Sequence, residues 1–357
     1  MIPRIDHLAW LQGRHDAVSH DLATSDLTAA AGDWTVAPES LAAREDPPGD
    51  PALVDQLAAV YGVDPESVLV TAGATHANLL AFAAALEEGD RVAVERPGYE
   101  PLRATPAWLG AEVDRFRRPH EADYALLPER IAEACRPGTA LAVATNRHNP
   151  SGRRTDREGL AAAAQVAADA GARLLVDEVY APYELAPGGG AFGGSTAAGL
   201  DHAAVTGSLT KFLGLGGLRV GWIVADPDFL DRARTALAHV PVLSTPGQQL
   251  GRRALFHREA LGERSRALLR ENHDLLQGFV GERPDLSGPV FEGASYAFLA
   301  HDSADGDEVV EAAQERDVLV TPGRFFEDEA RIRVSLGHDP DEMRAALAAF
   351  EDALDDL

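Results

Sequence analysis

From about residue 50 the chain alternates short apolar runs, rich in β-branched residues, with longer stretches of helical period. Asp50-Pro51 pairs a capping carboxylate with a proline suited to a first helical position, and the apolar run Val68-Leu69-Val70 follows that helix. A helix over residues 75–86, closed by Gly89-Asp90, precedes a strand at 91–94. Further strands are expected at residues 112–116, 141–144, 173–176, 204–206 and 219–224, with helices at 128–135 and 156–170. Short, mostly apolar strands alternating with helices are the pattern of a mostly parallel sheet covered on both faces, a three-layer α/β/α architecture. Ligands of such sheets lie at the carboxyl ends of the strands, so the residues just after each strand are the ones to inspect.

Beyond Pro227 the rhythm changes. A long helical region runs to about Gly278 with an interruption near residues 241–247; strands follow at 296–299, 318–320 and 332–334, and a helix over 339–354 closes the chain. This predicts a smaller α+β domain. Residues 45–240 are expected to form the large domain, and 1–44 with 241–357 the small domain and an amino-terminal segment. The glycine patch from Gly188 to Gly194 reads as a flexible surface loop.

Hydrophobic residues make up 45% of the 357 positions, enough for substantial cores. The balance of 57 acidic against 32 basic residues gives a formal net charge of -25, spread along the chain, with no basic cluster to track a phosphate backbone. Nucleic acid is therefore not an expected partner. The first 30 residues lack a basic start followed by an apolar core, and no apolar run is long enough to span a bilayer, so neither a membrane nor secretion is expected and the cytoplasm is the expected compartment. Cys135 is the single cysteine, which excludes an intramolecular disulfide and any multi-cysteine metal site; no metal is expected.

One compositional fact changes the picture. Of the 32 basic residues only Lys211 is lysine, leaving 32 − 1 = 31 arginines. A guanidinium keeps its proton at any accessible pH, whereas an amine can lose it and attack a carbonyl. Ser208-Leu209-Thr210-Lys211 follows a predicted strand and leads into Gly214, Gly216, Gly217 and Arg219. The two hydroxyls and the guanidinium eight residues past the lysine can converge on a phosphate dianion. Ser-x-x-Lys also marks penicillin-recognising serine enzymes, but their Ser-Asp-Asn and Lys-Thr-Gly partners do not occur here. The glycines are no dinucleotide fingerprint either, because they precede a strand instead of following one.

Asp177 ends a predicted strand, where a carboxylate can keep a pyridine nitrogen protonated, and Tyr180 lies three residues on. Gly73-Ala74-Thr75 joins a strand to a helix whose first N–H groups can hold a phosphate. Pro97-Gly98-Tyr99 and Asn149-Pro150-Ser151-Gly152 each follow a strand, and each alone is simply a turn.

Taken in order, Gly-Ala-Thr, Pro-x-Tyr, Asn-Pro-Ser-Gly, Asp-x-x-Tyr, Ser-x-x-Lys with Arg219, and the late Arg333-Val334-Ser335 resemble the class I/II aminotransferases among the fold-type I pyridoxal-phosphate-dependent enzymes, the aspartate aminotransferase superfamily. The likeness runs from about Gly49 to Ser335. It implies pyridoxal 5'-phosphate as cofactor, in a Schiff base with Lys211; Asp177 on the pyridinium nitrogen; Tyr180 and Asn149 on the ring oxygen; Tyr99 stacked on the ring; and Ala74, Thr75, Ser208 and Arg219 on the phosphate. It further implies that Arg333, with Arg331 as second choice, holds the substrate α-carboxylate, with Asn149 beside it.

The implied activity is amino-group transfer between an amino acid and a 2-oxo acid, by a homodimer with active sites at the subunit interface. The family's tyrosine lent across that interface is replaced here by Arg44, and residues 21–25 resemble its closing amino-terminal segment. Arg14 and Arg324 are candidates for recognising an acidic side chain. The alternatives on the same scaffold are a lyase, a decarboxylase or a cyclising synthase, and the stretch from Ser208 to Arg219 also resembles the histidinol-phosphate and threonine-phosphate branch. A non-catalytic cofactor-binding or regulatory module is the third class.

So dense an acidic surface repels itself when counter-ions are scarce. The melting temperature is expected to fall as salt is lowered from molar to millimolar; a melting temperature that stays flat over that range contradicts this reading.

Overall fold

The computed structural model describes residues 49–184 and 190–357. Its first helix, α1 (Pro51–Tyr61), begins where expected: the Asp50 carboxylate accepts from the N–H groups of Ala52 and Leu53, and Gly62 ends the helix in the left-handed region at φ 68°. There follow β1 (Val68–Thr71), α2 (Ala74–Ala85), β2 (Arg91–Arg96), α3 (Glu100–Trp108), β3 (Glu112–Arg117), α4 (Pro128–Ala134), β4 (Thr139–Thr145), α5 (Arg157–Asp169), β5 (Arg173–Asp177), β6 (Ala203–Ser208) and β7 (Gly221–Val224).

These seven strands form one sheet in the order β1-β7-β6-β5-β4-β2-β3. Only β7 runs antiparallel to its neighbours; the rest of the sheet is parallel. Because successive side chains alternate between faces, each strand feeds two cores. Val68, Val70, Val176 and Trp222 pack with Leu53, Leu57 and Leu160 on one face; Leu69, Val143, Leu175 and Ile223 pack with Leu80, Phe82 and Phe229 on the other. The expected three-layer architecture is thus present.

The remainder comprises α6 (Pro227–His239), α7 (Thr245–Phe256), α8 (Arg258–Glu282), β8 (Leu286–Ser287), β9 (Tyr296–His301), α9 (Gly306–Glu315), β10 (Thr321–Pro322), β11 (Arg331–Ser335) and α10 (Pro340–Leu354). Its four strands form an antiparallel sheet, β10-β11-β9-β8, whose core joins Leu299 and Ile332 to Leu276, Val309, Leu347 and Phe350. Helix α7 packs on the large sheet instead, with Ala254 and Leu255 in its core and Gln248 accepting from the Asp50 N–H at 2.8 Å.

Three expectations need correction. The run 318–320 is not a strand: Leu319 is 82% exposed with no sheet face to cover, and pairing with β11 starts at Thr321, opposite Arg333. The strand expected from Arg219 begins at Gly221, because Arg219 itself takes a left-handed conformation at φ 53°. Within the glycine patch, residues 188 and 189 lie outside the described residues, and Gly194 is packed rather than mobile, since a Cβ there would lie 1.8 Å from the Ala181 carbonyl oxygen. Helices α3 and α9 escaped the pattern; α9 opens on a capping box in which Asp305 and Glu308 satisfy each other's backbone.

Among the described residues no helix is long and apolar enough to cross a membrane. Nor does any group of three or more His, Cys, Asp or Glu there have the arrangement to hold a metal ion.

Near the carboxyl end of β2 lies an ion pair without water contact. Glu95 and Arg118 are 0% and 1% exposed and meet at 2.8 Å; Glu95 Oε1 also accepts from Thr145 N and Oγ1 at 2.8 and 2.5 Å. Arg118 Nε donates to the Tyr124 carbonyl at 2.8 Å. Removing one member strands the other's charge, at a cost of about 3–5 kcal/mol. Arg118→Met should lower unfolding free energy by that amount in urea denaturation. The Glu95→Leu/Arg118→Met double variant should lose less than the sum of the single losses, and strict additivity would rule out the coupling.

Candidate active site

In a parallel sheet the strands β2, β4, β5 and β6 all end at the same edge, and the expected site residues collect there. Asp177 closes β5 and Ser208 closes the adjacent β6, three residues before Lys211. Lys211 Nζ lies 5.7 Å from the ring centre of Tyr180. Tyr99, at the start of α3, feels the charges of Asp177, Lys211 and Arg333, and burial pushes its phenol upward. Tyr180, buried more deeply, has its phenol pushed up to about 12, so it remains a hydrogen-bond donor at neutral pH.

Asn149 is placed by the buried network just described: its backbone N–H donates to Thr145 Oγ1 at 2.9 Å, and that hydroxyl is held by Glu95. Its side-chain oxygen accepts from Arg333 Nη1 at 2.7 Å. Arg333 arrives from β11 with its guanidinium flanked by the rings of Tyr296 and Phe326, 5.1 and 4.9 Å from their centres. Arg331 projects elsewhere, pairing with Asp328 at 3.3 Å over the rings of Tyr124 and Phe298. Arg324 is engaged by Asp307 and lies over Phe325. Arg14, Arg44 and residues 21–25 lie outside the described residues.

Opposite these groups, α2 begins at Gly73 with φ 86° and no side-chain cap. Arg219 Nη2 donates to the Ala72 carbonyl at 3.2 Å and crowds Gly73 so closely that a Cβ there would lie 2.6 Å from it. Ala74 and Thr75 form the first turn of the helix, and Ser208 sits at the end of β6, its hydroxyl accepting from Thr210 N at 3.3 Å. A helix start, a guanidinium and hydroxyls around a surface bare of side chains make a cradle for a dianion.

The Asp177 carboxyl is pushed up by burial and pulled back chiefly by a hydrogen bond from Asn78, then by the Val179 N–H and the Lys211 charge. Its neighbour Glu178 faces away, accepting from Thr196 Oγ1 and Ala197 N at 2.6 Å each, and burial pushes its carboxyl up to about 8.

Sequence reasoning missed Asn78, Thr206, Thr145, Glu95 and Arg118, none of which lies in a motif. The available signal was polarity in the wrong place: Asn78 interrupts the apolar helix around Ala77, Leu80 and Ala81, and Thr206 interrupts the apolar β6.

A lysine, a strand-end aspartate and a dianion cradle at the edge of such a sheet define the pyridoxal-phosphate-dependent enzymes of fold type I. The chain matches the family model for aminotransferase class I and II over residues 19–350, and it belongs to that family. It is 33% identical over 193 residues to a valine–pyruvate aminotransferase of Mycobacterium tuberculosis, covering 52% of this chain and 48%, about half, of that relative. An aspartate/prephenate aminotransferase of Thermus thermophilus is 28% identical over 333 residues, 85% of this chain and 81% of the relative. The solved aspartate aminotransferase from Thermus thermophilus with maleate superposes with a TM-score of 0.79 at 25% identity, over 87% of this chain and 84% of that one.

Pyridoxal 5'-phosphate is the family's cofactor, and the residues present fit it: the bare Gly73 surface beside Arg219 suits the phosphate, and the buried Asp177 carboxylate suits the pyridine nitrogen. A side chain at Gly73 must adopt positive φ with extended ψ, a region essentially reserved for glycine that costs about 1–3 kcal/mol, besides displacing Arg219. Gly73→Ala should therefore weaken cofactor binding about tenfold or more, read by titrating the apoprotein with pyridoxal phosphate and following absorbance. An unchanged Kd would remove Gly73 from the cradle.

Proposed function

We propose that this protein transfers an amino group from an amino acid to a 2-oxo acid, as a cytoplasmic homodimer with active sites at the subunit interface. One observation carries the reading: the chain's only lysine stands beside Tyr180 and Asp177 at the strand ends of a class I/II aminotransferase.

Bound pyridoxal phosphate supplies an aldehyde that takes up the amino group and a protonated ring that draws electrons from the substrate's α-carbon. Lys211 Nζ would hold the cofactor between turnovers and, once released by the incoming amine, would be the base that accepts the proton of the substrate's α-carbon. Asp177 would keep the proton on the ring nitrogen. Tyr180 Oη and the Asn149 amide would hold the ring's phenolic oxygen, Tyr99 would cover the ring face, and Ala74, Thr75, Ser208 and Arg219 would anchor the phosphate. Arg333 binds the α-carboxylate through a planar fork that lysine does not offer. Its bond to Asn149 Oδ1 at 2.7 Å puts the carboxylate site and the ring-oxygen site side by side. Fixing the carboxylate determines which bond of the α-carbon stands across the ring, and so which bond breaks. The second half-reaction runs these steps backwards on a 2-oxo acid.

The test mixes the purified holoenzyme with single amino acids and identifies the products. A 2-oxo acid with the aminated cofactor is expected; ammonia with pyruvate assigns the protein to the lyases, and carbon dioxide to the decarboxylases. Lys211→Arg should retain phosphate binding and lose turnover by at least a thousandfold, about 4 kcal/mol of barrier, and turnover near wild type would refute the role given to Lys211.

A further inference from the structure

Asp177 is gripped from the side away from Lys211 by a residue in none of the expected motifs. Its Oδ2 accepts from Asn78 Nδ2 at 2.8 Å, and its Oδ1 from the Val179 backbone N–H at 3.2 Å. Asn78 is 7% exposed, and its own Oδ1 accepts from Thr206 Oγ1 at 2.7 Å; Thr206 is 0% exposed. The arrangement is directional. With the Thr206 hydroxyl donating to the amide oxygen, the amide has one orientation left, its NH2 group turned toward Asp177. The contact also ties together the two ends of the cofactor site. Asn78 lies on α2, whose first turn forms the phosphate cradle, and four residues of helix rise about 6 Å.

We propose that Asn78, oriented by Thr206, is a positioning residue for the reaction: it fixes the Asp177 carboxylate in the rotamer that presents a lone pair to the cofactor's ring nitrogen, and thereby tunes how tightly that nitrogen holds its proton. The inference rests on Asp177 being the partner of that nitrogen. The charged and titratable groups around Asp177 are Lys211 beyond β6, Tyr99 beyond β2, and Tyr180 and Glu178 on its own segment. Among the described residues none of them donates a hydrogen bond to the Asp177 carboxylate; Asn78 and the Val179 N–H do. Without Asn78 the buried carboxylate loses the side-chain donor it has among the described residues, can rotate about its last torsion, and more readily takes up a proton of its own. A neutral acid is no counter-ion for a pyridinium.

Asn78→Leu removes the donor while keeping the branching and the number of side-chain heavy atoms. In the holoenzyme kcat should drop about ten- to a hundredfold, the loss of one hydrogen bond to a charged group. KM for the amino donor should stay within about twofold, since Asn78 contacts Asp177 and Thr206 and not Arg333 or Asn149. The pH midpoint of the bound cofactor's absorbance change should move upward by about half a unit or more, because a less protonated ring withdraws less density from the nitrogen on Lys211. Thr206→Val should shift both readouts in the same direction by less, and the double variant should be no worse than Asn78→Leu alone.

A merely structural Asn78 would lower the melting temperature and leave the absorbance titration and the kcat of cofactor-loaded protein at wild-type values; that result overturns the proposal. If Asn78→Leu fails to fold, Thr206→Val decides by the same titration. Asp177→Asn separates this inference from the one beneath it. If Asp177→Asn is inactive while Asn78→Leu titrates like wild type, the Asn78 role alone fails. If Asp177→Asn keeps wild-type turnover and titration, the assignment of Asp177 fails first.

Discussion

A carboxylate shut away from water must be compensated where it stands, and two of them, Glu95 and Asp177, organise the working edge of the large sheet. They stand near the carboxyl ends of β2 and β5, with β4 between, and are compensated in different ways. Glu95 meets a guanidinium with which it shares a fully enclosed ion pair, and two further donors from Thr145 complete its coordination. Its charge is spent internally, and what it supplies is rigidity: through Thr145 it fixes the backbone of Asn149. Among the described residues Asp177 receives neutral donors, the Asn78 amide and the Val179 N–H, while Lys211 acts on it through space. A carboxylate so held suits a cationic partner, the place proposed above for the pyridinium. One site thus contains both solutions, a closed ion pair for stiffness and an open one for chemistry.

The second organising feature is the seam between the two sheets. Arg333 reaches from the small sheet to Asn149 at the edge of the large one. Nearby, the Gly98 N–H donates to the Phe326 carbonyl at 3.2 Å, and Arg115 pairs with Glu327. Arg147, almost entirely buried, spans the same seam by donating to the carbonyls of Tyr183 and Glu292 at 2.7 and 2.9 Å. Each contact pairs a carbonyl, side-chain amide or carboxylate oxygen with an N–H or guanidinium. These polar contacts flank two small buried aromatic clusters that also cross the seam, Tyr180 and Tyr183 with Tyr296, and Tyr124 with Phe298 and Phe326.

Much of this was legible in the chain. The apolar strands, the Asp50 cap, the solitary lysine and the strand-end aspartate all announce themselves by local pattern, because each is decided by a few neighbouring residues. Helix α3 did not, since two prolines, Pro101 and Pro106, argue against a helix locally; the first falls at its amino end, where no N–H is needed, and the second is tolerated under tertiary packing. The run 318–320 misled in the opposite sense, because β-propensity describes a fit to a half-buried pleated surface and Leu319 has none beneath it. The partners of the site residues were the least legible. Asn78 meets Asp177 across 99 positions of sequence and Thr206 across 128, and Glu95 meets Thr145 across 50. Such pairings leave only an unexplained polar residue in an apolar run as their trace.

Lys211 is exposed, and every other basic side chain is arginine. Reagents that seek primary amines, among them cyanate, acid anhydrides and formaldehyde with a reductant, therefore meet a single ε-nitrogen on the whole polypeptide, apart from the terminal α-amine. Tethering or dye attachment by ordinary amine coupling would strike the heart of the molecule first, and attachment through carboxyl groups, of which the surface has a great surplus, is the chemistry that leaves it intact.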